Sequence, residues 1–198
     1  MSRRLQLVVV VCCAALVGCG SSATAPSSSA GSSAPSLPSN SSILANPNFK
    51  PPQQHNQGGR PDVTYDPCLR IDDATVRAMG FDPASRARDD FVSEYTFLEC
   101  KFKSALRYLT IKSGNITMEQ ERERYTGMFE NLDINGREAI IVREPNANDT
   151  CALNMRTNQG YVRIATVLTV DALVQKIGRC DGIADIAKAV EPTIGEGK

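Results

Sequence analysis

Few side chains in this sequence are of kinds that carry out chemistry, and their types and spacing bound what it can do. There is one histidine, His55, in 198 residues. It stands in Pro51-Pro52-Gln53-Gln54-His55-Asn56-Gln57-Gly58-Gly59, where no packed neighbour is expected to hold an imidazole in place. Nucleophilic triads that depend on a positioned histidine are therefore not expected. Glu119, Glu121 and Glu123 are the other acid-base candidates, in the run Glu119-Gln120-Glu121-Arg122-Glu123-Arg124. Paired carboxylates hydrolyse glycosides when held about 5 to 9 Å apart across a cleft, but side chains two apart on a helix do not face each other. The run is expected to be a solvated helix face. No catalytic residue is assigned, and the chain is not expected to be an enzyme.

The thiols offer two other chemistries. Arg3 and Arg4 precede an apolar run from Leu7 to Val17, which is too short for a bilayer core that takes about 20 residues and has the form of a signal-peptide segment. The run closes on Leu16-Val17-Gly18-Cys19, which looks like the lipobox of a bacterial lipoprotein. Gly18 is small enough for a processing peptidase, and Cys19 supplies the thiol that would carry a diacylglyceryl group. Cleavage is expected between them, with palmitate-type acylation at Cys19. At about 0.8 kcal/mol per buried methylene, two or more chains hold where one does not. The expected address is the extracytoplasmic face of the cell membrane, with the membrane as a partner through the lipid. Cys12 and Cys13 follow Val and Cys rather than a small residue and read as filler of the apolar run.

Past Cys19 the cysteines are Cys68, Cys100, Cys151 and Cys180. An even set in an exported chain reads as two disulfides. The set has no Cys-x-x-Cys spacing, so neither a metal site nor a cofactor is expected.

Twenty-two basic and 22 acidic residues balance; losing Arg3 and Arg4 leaves 20 against 22, a formal charge of minus two. Without a basic run there is no electrostatic footprint for nucleic acid. The organisation expected is a signal peptide over 1–18 and a lipidated cysteine with a disordered Ser/Pro/Gly-rich tether over 19–60. A single folded domain over 61–194 and a tail over 195–198 complete it.

Within that domain, Asp72 is a good N-cap and Gly80 a good stop, which predicts a short helix over 73–79. Alternation over 94–102 puts Leu98, Cys100 and Phe102 on one face of a strand, followed by a second strand over 107–112. Thr117-Met118-Glu119-Gln120 is a capping box that predicts a helix running to about Phe129. Asn135-Gly136 predicts a hairpin between 132–134 and 137–143. A further antiparallel pair, 151–156 with 161–170, precedes helical patterns over 172–177 and 180–190, the last stopped by Pro192. The fold class expected is α+β, a mainly antiparallel sheet packed with helices at both ends of the chain.

These segments together resemble the actinobacterial lipoprotein domain-of-unknown-function family 3558. The residues that carry the resemblance are Asp66-Pro67-Cys68, Glu99-Cys100-Lys101-Phe102, Gly136-Arg137-Glu138-Ala139 and Cys151-Ala152-Leu153-Asn154-Met155. Cys180 followed by Ile183, Ala184, Ile186 and Ala187 completes them. Phe102 stands where the family commonly has Trp. The resemblance implies a lipid-anchored envelope protein and supplies no catalytic residues. The layout is also similar to a PsbP-like sandwich, an analogy at the level of fold. Four cysteines allow three pairings. The preferred one joins Cys100 to Cys151, as two core strands, and Cys68 to Cys180, stapling the first helix to the last.

The expected function is a non-catalytic, monomeric binding domain that engages an envelope protein or cell-wall component. The alternative is a carrier of a lipid or other apolar small molecule, with Met79, Met118, Met128, Phe129 and Leu132 lining its pocket.

Overall fold

The computed structural model describes residues 41–195, with side chains from Ile43 onward. The apolar run, Gly18, Cys19 and the first part of the tether lie outside the described residues. No helix among the described residues is long and apolar enough to cross a membrane.

In chain order the elements are helix α1 (Ser41–Leu44), a 3-10 turn (Pro47–Phe49), α2 (Pro67–Arg70) and α3 (Asp73–Ala78). Strands β1 (Asp82–Arg88), β2 (Phe91–Val92), β3 (Thr96–Lys103) and β4 (Arg107–Gly114) follow. After α4 (Met118–Arg124) come β5 (Phe129–Ile134), β6 (Arg137–Val142), β7 (Thr150–Arg156) and β8 (Tyr161–Leu168). Helices α5 (Val170–Val174) and α6 (Ile183–Ile194) close the chain. The strands form one antiparallel sheet in the order β1-β3-β4-β8-β7-β6-β5, with β2 paired to β3. This is the expected α+β class.

Successive side chains on a strand point to opposite faces, and here both faces are used. Cys100, Phe102, Leu109, Ile111, Leu153 and Ile164 project to one face and form the main core with Ile71, Val76, Ile183 and Val190 from the helices. On the other face Ile140, Val142 and Ala152 pack under Met118 and Tyr125 at the two ends of α4.

The disulfides join Cys68 to Cys100 and Cys151 to Cys180, with Cα atoms 5.0 and 5.2 Å apart. The expected pairing of Cys100 with Cys151 and Cys68 with Cys180 is thereby corrected. Cys100 on β3 and Cys151 on β7 do share a face, but β4 and β8 run between them. Three interstrand spacings amount to about 14 Å, twice the reach of a disulfide, whose Cα atoms lie within about 7 Å. Each strand cysteine is instead bonded to the segment that covers it: Cys68 in α2 over β3, and Cys180 in the loop before α6 over β7.

Two helix boundaries also differ from expectation. The helix opened by the capping box ends at Arg124, because Gly127 takes a left-handed φ of 75° and the chain turns into β5, where Phe129 pairs with Val142. Pro192 does not stop α6 but lies inside it. A proline cannot donate to the carbonyl four residues back, which here is Lys188. The side-chain amide of Asn135 donates to that carbonyl at 3.1 Å. Asn135 reaches it from the β5–β6 hairpin, where it and Gly136 take the positive φ values of 54° and 84° that an Asn-Gly turn requires.

The β1–β2 segment was not expected as strands. Asp82-Pro83-Ala84-Ser85-Arg86-Ala87-Arg88 has no apolar alternation, but β1 is an edge strand, where charge and proline protect the open side. The folded body also begins before residue 61. Ile43 is buried, Gln54 exchanges hydrogen bonds with the Val63 backbone at 2.8 and 2.9 Å, and the Gln57 backbone N–H donates to the Glu94 carbonyl. Within residues 43–60, expected to be tether, Ile43 and Phe49 thus lie against β1, and Asn56 and Gln57 bond to Thr96, Asn115 and Glu94 around the start of β3.

Two expected outcomes follow from these bonds. Proteolysis without reduction should yield linked peptides containing Cys68 with Cys100 and Cys151 with Cys180. Each closes a loop of about 30 residues, which in the chain-entropy account is worth about 4 kcal/mol; a Cys100–Cys151 peptide would refute the fold. Asn135→Gly keeps the turn but removes the donor to Lys188, and should cost about 1 kcal/mol in denaturant unfolding. In a Pro192→Ala background, where residue 192 regains its N–H, that cost should shrink.

Candidate functional site

The residues singled out for chemistry do not converge. Glu119, Glu121 and Glu123 lie on α4 but go to three environments. Glu119 is exposed and pairs with Arg156 at 2.6 Å. Glu121 is buried, accepts from the Asn154 amide at 2.7 Å and stands 3.8 Å from Arg163. Glu123 is exposed. His55 is exposed, beside Asn56, which bonds to Thr96 and Asn115. Among the described residues no group of three or more His, Cys, Asp or Glu side chains is placed to hold a metal ion.

The expected carrier pocket does not form either. Met118, Met128 and Phe129 belong to the small core under α4, whereas Met79 and Leu132 pack against the main core on the opposite face of the sheet. A cleft of about 240 Å³ does open between Met79, Phe81, Leu106, Ile177 and Ile186, with Ser104 and Arg107 also in its wall. Small-molecule sites run from about 300 to 1,000 Å³.

The arrangement best placed to meet a partner is a polar row across the second face of the sheet. Registers align Glu99 with Lys112, Lys112 with Arg163, and Arg163 with Asn154. Helix α4 roofs the Asn154 end, while Lys101, Thr110, Lys112 and Arg163 remain partly accessible and Tyr108 is exposed. Within the row, Glu99 is 2.7 Å from Lys112 and 3.5 Å from Lys101, and Lys101 also binds Asp89. Arg163 donates to Asn154 at 3.3 Å, and its guanidinium lies 5.6 Å from the centre of the Tyr125 ring. Burial pushes the neighbouring Tyr161 phenol upward, away from ionisation near neutrality. Charges so closely paired offer complementary hydrogen bonds to a polar partner but little net field. The sequence carried part of this signal, since alternation put Glu99 and Lys101 on the face opposite Leu98 and Cys100. It did not carry the cross-strand alignment, which depends on β4 pairing with β8.

Two further clusters fasten segments. Arg137, wholly buried, donates to Glu191 at 3.1 Å, to the Arg156 carbonyl at 2.9 Å and to the Gly195 carbonyl at 2.8 Å. It thereby holds the end of α6 against β6 and β7. Removing one partner of a buried ion pair typically costs about 3 to 5 kcal/mol, because the other is left buried and uncompensated. Asp66 caps α2 through the Cys68 N–H and accepts two hydrogen bonds from Arg88, at 2.7 and 2.9 Å. Burial raises its carboxyl above the ordinary range despite the pull of Arg88 in the other direction. Arg88 also donates to the Phe49 carbonyl and to Asp90, both at 2.8 Å, tying the N-terminal segment to β1. Apart from the buried Nε of Arg88, which has no hydrogen-bond partner, these groups are engaged by their own neighbours and fasten the segments that carry them.

Arg156 on β7 clamps α4 to the sheet through Glu119 and also binds Glu138 on β6, which Arg122 of α4 shares; its hydrogen bonds hold both carboxyls low, Glu119 down to about 2. A depressed folded-state value contributes stability that is present above the unfolded value of about 4.3 and lost as pH falls through the folded value. Arg156→Gln should therefore lower stability at pH 7 by about 1 kcal/mol or less, since the pairs are largely exposed. The difference from the unsubstituted protein should narrow between about pH 4.5 and 2, as read by urea midpoints across that range. A difference that stays constant would show that the clamp is not electrostatic.

Neither the comparison with curated proteins nor the comparison with solved structures returned a match. The comparison with protein families matched residues 14–193, a stretch that takes in Leu16-Val17-Gly18-Cys19, the tether and the whole sheet, and contains both disulfides. The chain belongs to the family described as "Protein of unknown function (DUF3558)".

Proposed function

We propose that this protein is an exported lipoprotein, held on the extracytoplasmic face of the cell membrane by acyl chains on Cys19. Its α+β body is then a non-catalytic binding domain for an envelope protein or a cell-wall component. The observation that carries the reading is the sequence itself. An apolar run too short to span a bilayer follows two arginines and ends on Leu16-Val17-Gly18-Cys19. Two features support it. All four cysteines beyond Cys19 are paired, as suits an oxidising exterior. Glu119 and Glu121 are paired with arginine or amide groups across the sheet, which favours binding over acid-base chemistry.

On this reading the Glu99–Lys112–Arg163 row is the docking face. A protein confined to a membrane surface meets its partners at high local concentration, so modest polar contacts suffice. Cys19→Ala in the host should abolish incorporation of labelled palmitate and move the protein from the membrane to the soluble fraction. Amine-reactive crosslinking of whole cells, through Lys101 and Lys112, should recover one reproducible envelope partner from the unsubstituted protein. Label retained by Cys19→Ala would overturn the anchor, and repeated crosslinking with no partner would overturn the binding role.

A further inference from the structure

Helix α5 is built inside out. Its sequence is Val170-Asp171-Ala172-Leu173-Val174, and the side chain it buries is Ala172. Val170, Val174 and Leu173 are 74%, 76% and 47% exposed. Spaced three and four residues apart, they share one face. Single exposed apolar residues are ordinary, but a cluster of them marks an interaction surface.

The helix is also firmly held, so the exposure does not come from a frayed end. Thr169 caps it by accepting from the Ala172 N–H. The Thr169 N–H and hydroxyl donate to the carbonyls of Leu106 and Ala105, each at 3.0 Å. At the other end the Ile177 N–H returns to the Ala172 carbonyl.

The registers locate this helix relative to the anchor. Leu168, the last residue of β8, pairs with Arg107, and Asp82, the first of β1, pairs with Lys103. Lys103 and Arg107 flank the turn between β3 and β4, so α5 and the start of β1 lie at the same end of the sheet. The N-terminal segment reaches the body there: Ile43, Asn46 and Phe49 line a groove with Pro83 and Ala84. The described chain therefore begins at the end where α5 projects. Between it and Cys19 stand residues 20–40, a reach of at most about 75 Å when fully extended.

We infer that α5 is a membrane-contacting tip: Val170, Leu173 and Val174 enter the headgroup and upper acyl region of the bilayer that carries the Cys19 anchor. This deepens the anchored reading and rests on it for the identity of the membrane. Charge contributes little to the contact, since Lys103, Arg107 and Lys176 stand against Asp171 and Asp181, a balance of only plus one. The attraction is apolar and suits a zwitterionic surface. A single helical turn binds weakly alone, but anchoring makes its insertion an intramolecular event. In this orientation the β7–β8 turn at Asn158, at the opposite end of the sheet, points away from the membrane.

The chain contains no tryptophan, so Val174→Trp places a single reporter on the tip and Asn158→Trp one on the far turn. The chain from Cys19 onward keeps every described residue. With its other thiols paired, it can be coupled through Cys19 to a maleimide lipid in phosphatidylcholine vesicles, with or without brominated acyl chains. This attachment reports on the tip whether or not the host acylates Cys19, which the palmitate experiment decides separately. Val174→Trp emission should shift to the blue, be quenched by brominated chains and change little with added salt, while Asn158→Trp should show neither shift nor quenching. Adding Val170→Asp and Leu173→Asp, both at exposed sites, should abolish the quenching of Val174→Trp. Emission at residue 174 that is indifferent to brominated lipid would overturn the inference. So would a blue shift without quenching in protein of doubled mass, which would assign the patch to a second copy of the chain.

Discussion

The structure depends most on the pairing of β4 with β8. Through it, Arg107–Gly114 runs in unbroken register against Tyr161–Leu168. Every other strand pairing lies within one side of α4 and, apart from β1 with β3, joins neighbours in sequence. Residues up to 114 build β1 to β4, and residues from 118 onward build β5 to β8. The two disulfides respect the same division, since each closes within its own half. Neither bond holds the halves together. That is left to the long-range strand pair, with its row of Leu109, Ile111, Val162 and Ile164 in the main core. Arg107 donating to the carbonyls of Gly178 and Asp181, and Tyr65 bonded to Thr193 at 2.7 Å, add to it. Such a contact cannot form until about 50 residues of loop are closed, so it is expected to form late in folding.

The short helices depend on side-chain caps. Apart from α6, the α-helices have four to seven residues, below the length at which a helix is stable by its own hydrogen bonds. From α2 to α5 each is held at its start by a side chain. Asp66 and Asp72 cap α2 and α3, Thr117 and Gln120 close a capping box on α4, and Thr169 caps α5. Helix α6 is long enough to persist, but it contains Pro192 and ends under Arg137. Its missing backbone bond is replaced by Asn135, and its terminal carbonyl by the Arg137 guanidinium. One hairpin, β5–β6, thus supplies both repairs.

The sequence was legible where the determinants were local. Capping residues, the Asn135-Gly136 turn and the alternation around Cys100 depend on near neighbours, and those elements stand within a few residues of where pattern placed them. It was not legible where a distant partner decides. Met128, Phe129 and Leu132 carry a helical spacing, yet the chance to pair with β6 makes that segment a strand. Pro192 reads as a stop until Asn135, more than 50 residues away, answers the lost bond. The cysteines show the limit most plainly. Two strand cysteines on one face look like a natural pair, and only the insertion of β4 and β8 between them forbids it. The polar row of Glu99, Lys112, Arg163 and Asn154 was hidden for the same reason, because it exists only once that register is set.

The same register gives the body two unlike ends and two unlike faces. One face is closed by α2, α3 and α6 over the main core. The other is closed only in part, by α4, and presents charges that have already satisfied one another. A self-paired surface creates little long-range attraction, so it gains little by searching solution for partners. It becomes effective when position is supplied by other means. On the proposed reading an anchor at Cys19 would supply position, and with α5 as the membrane-contacting tip the open sheet face would turn sideways, toward neighbours on the same surface. Lipid and apolar tip would then set orientation, and the polar row recognition.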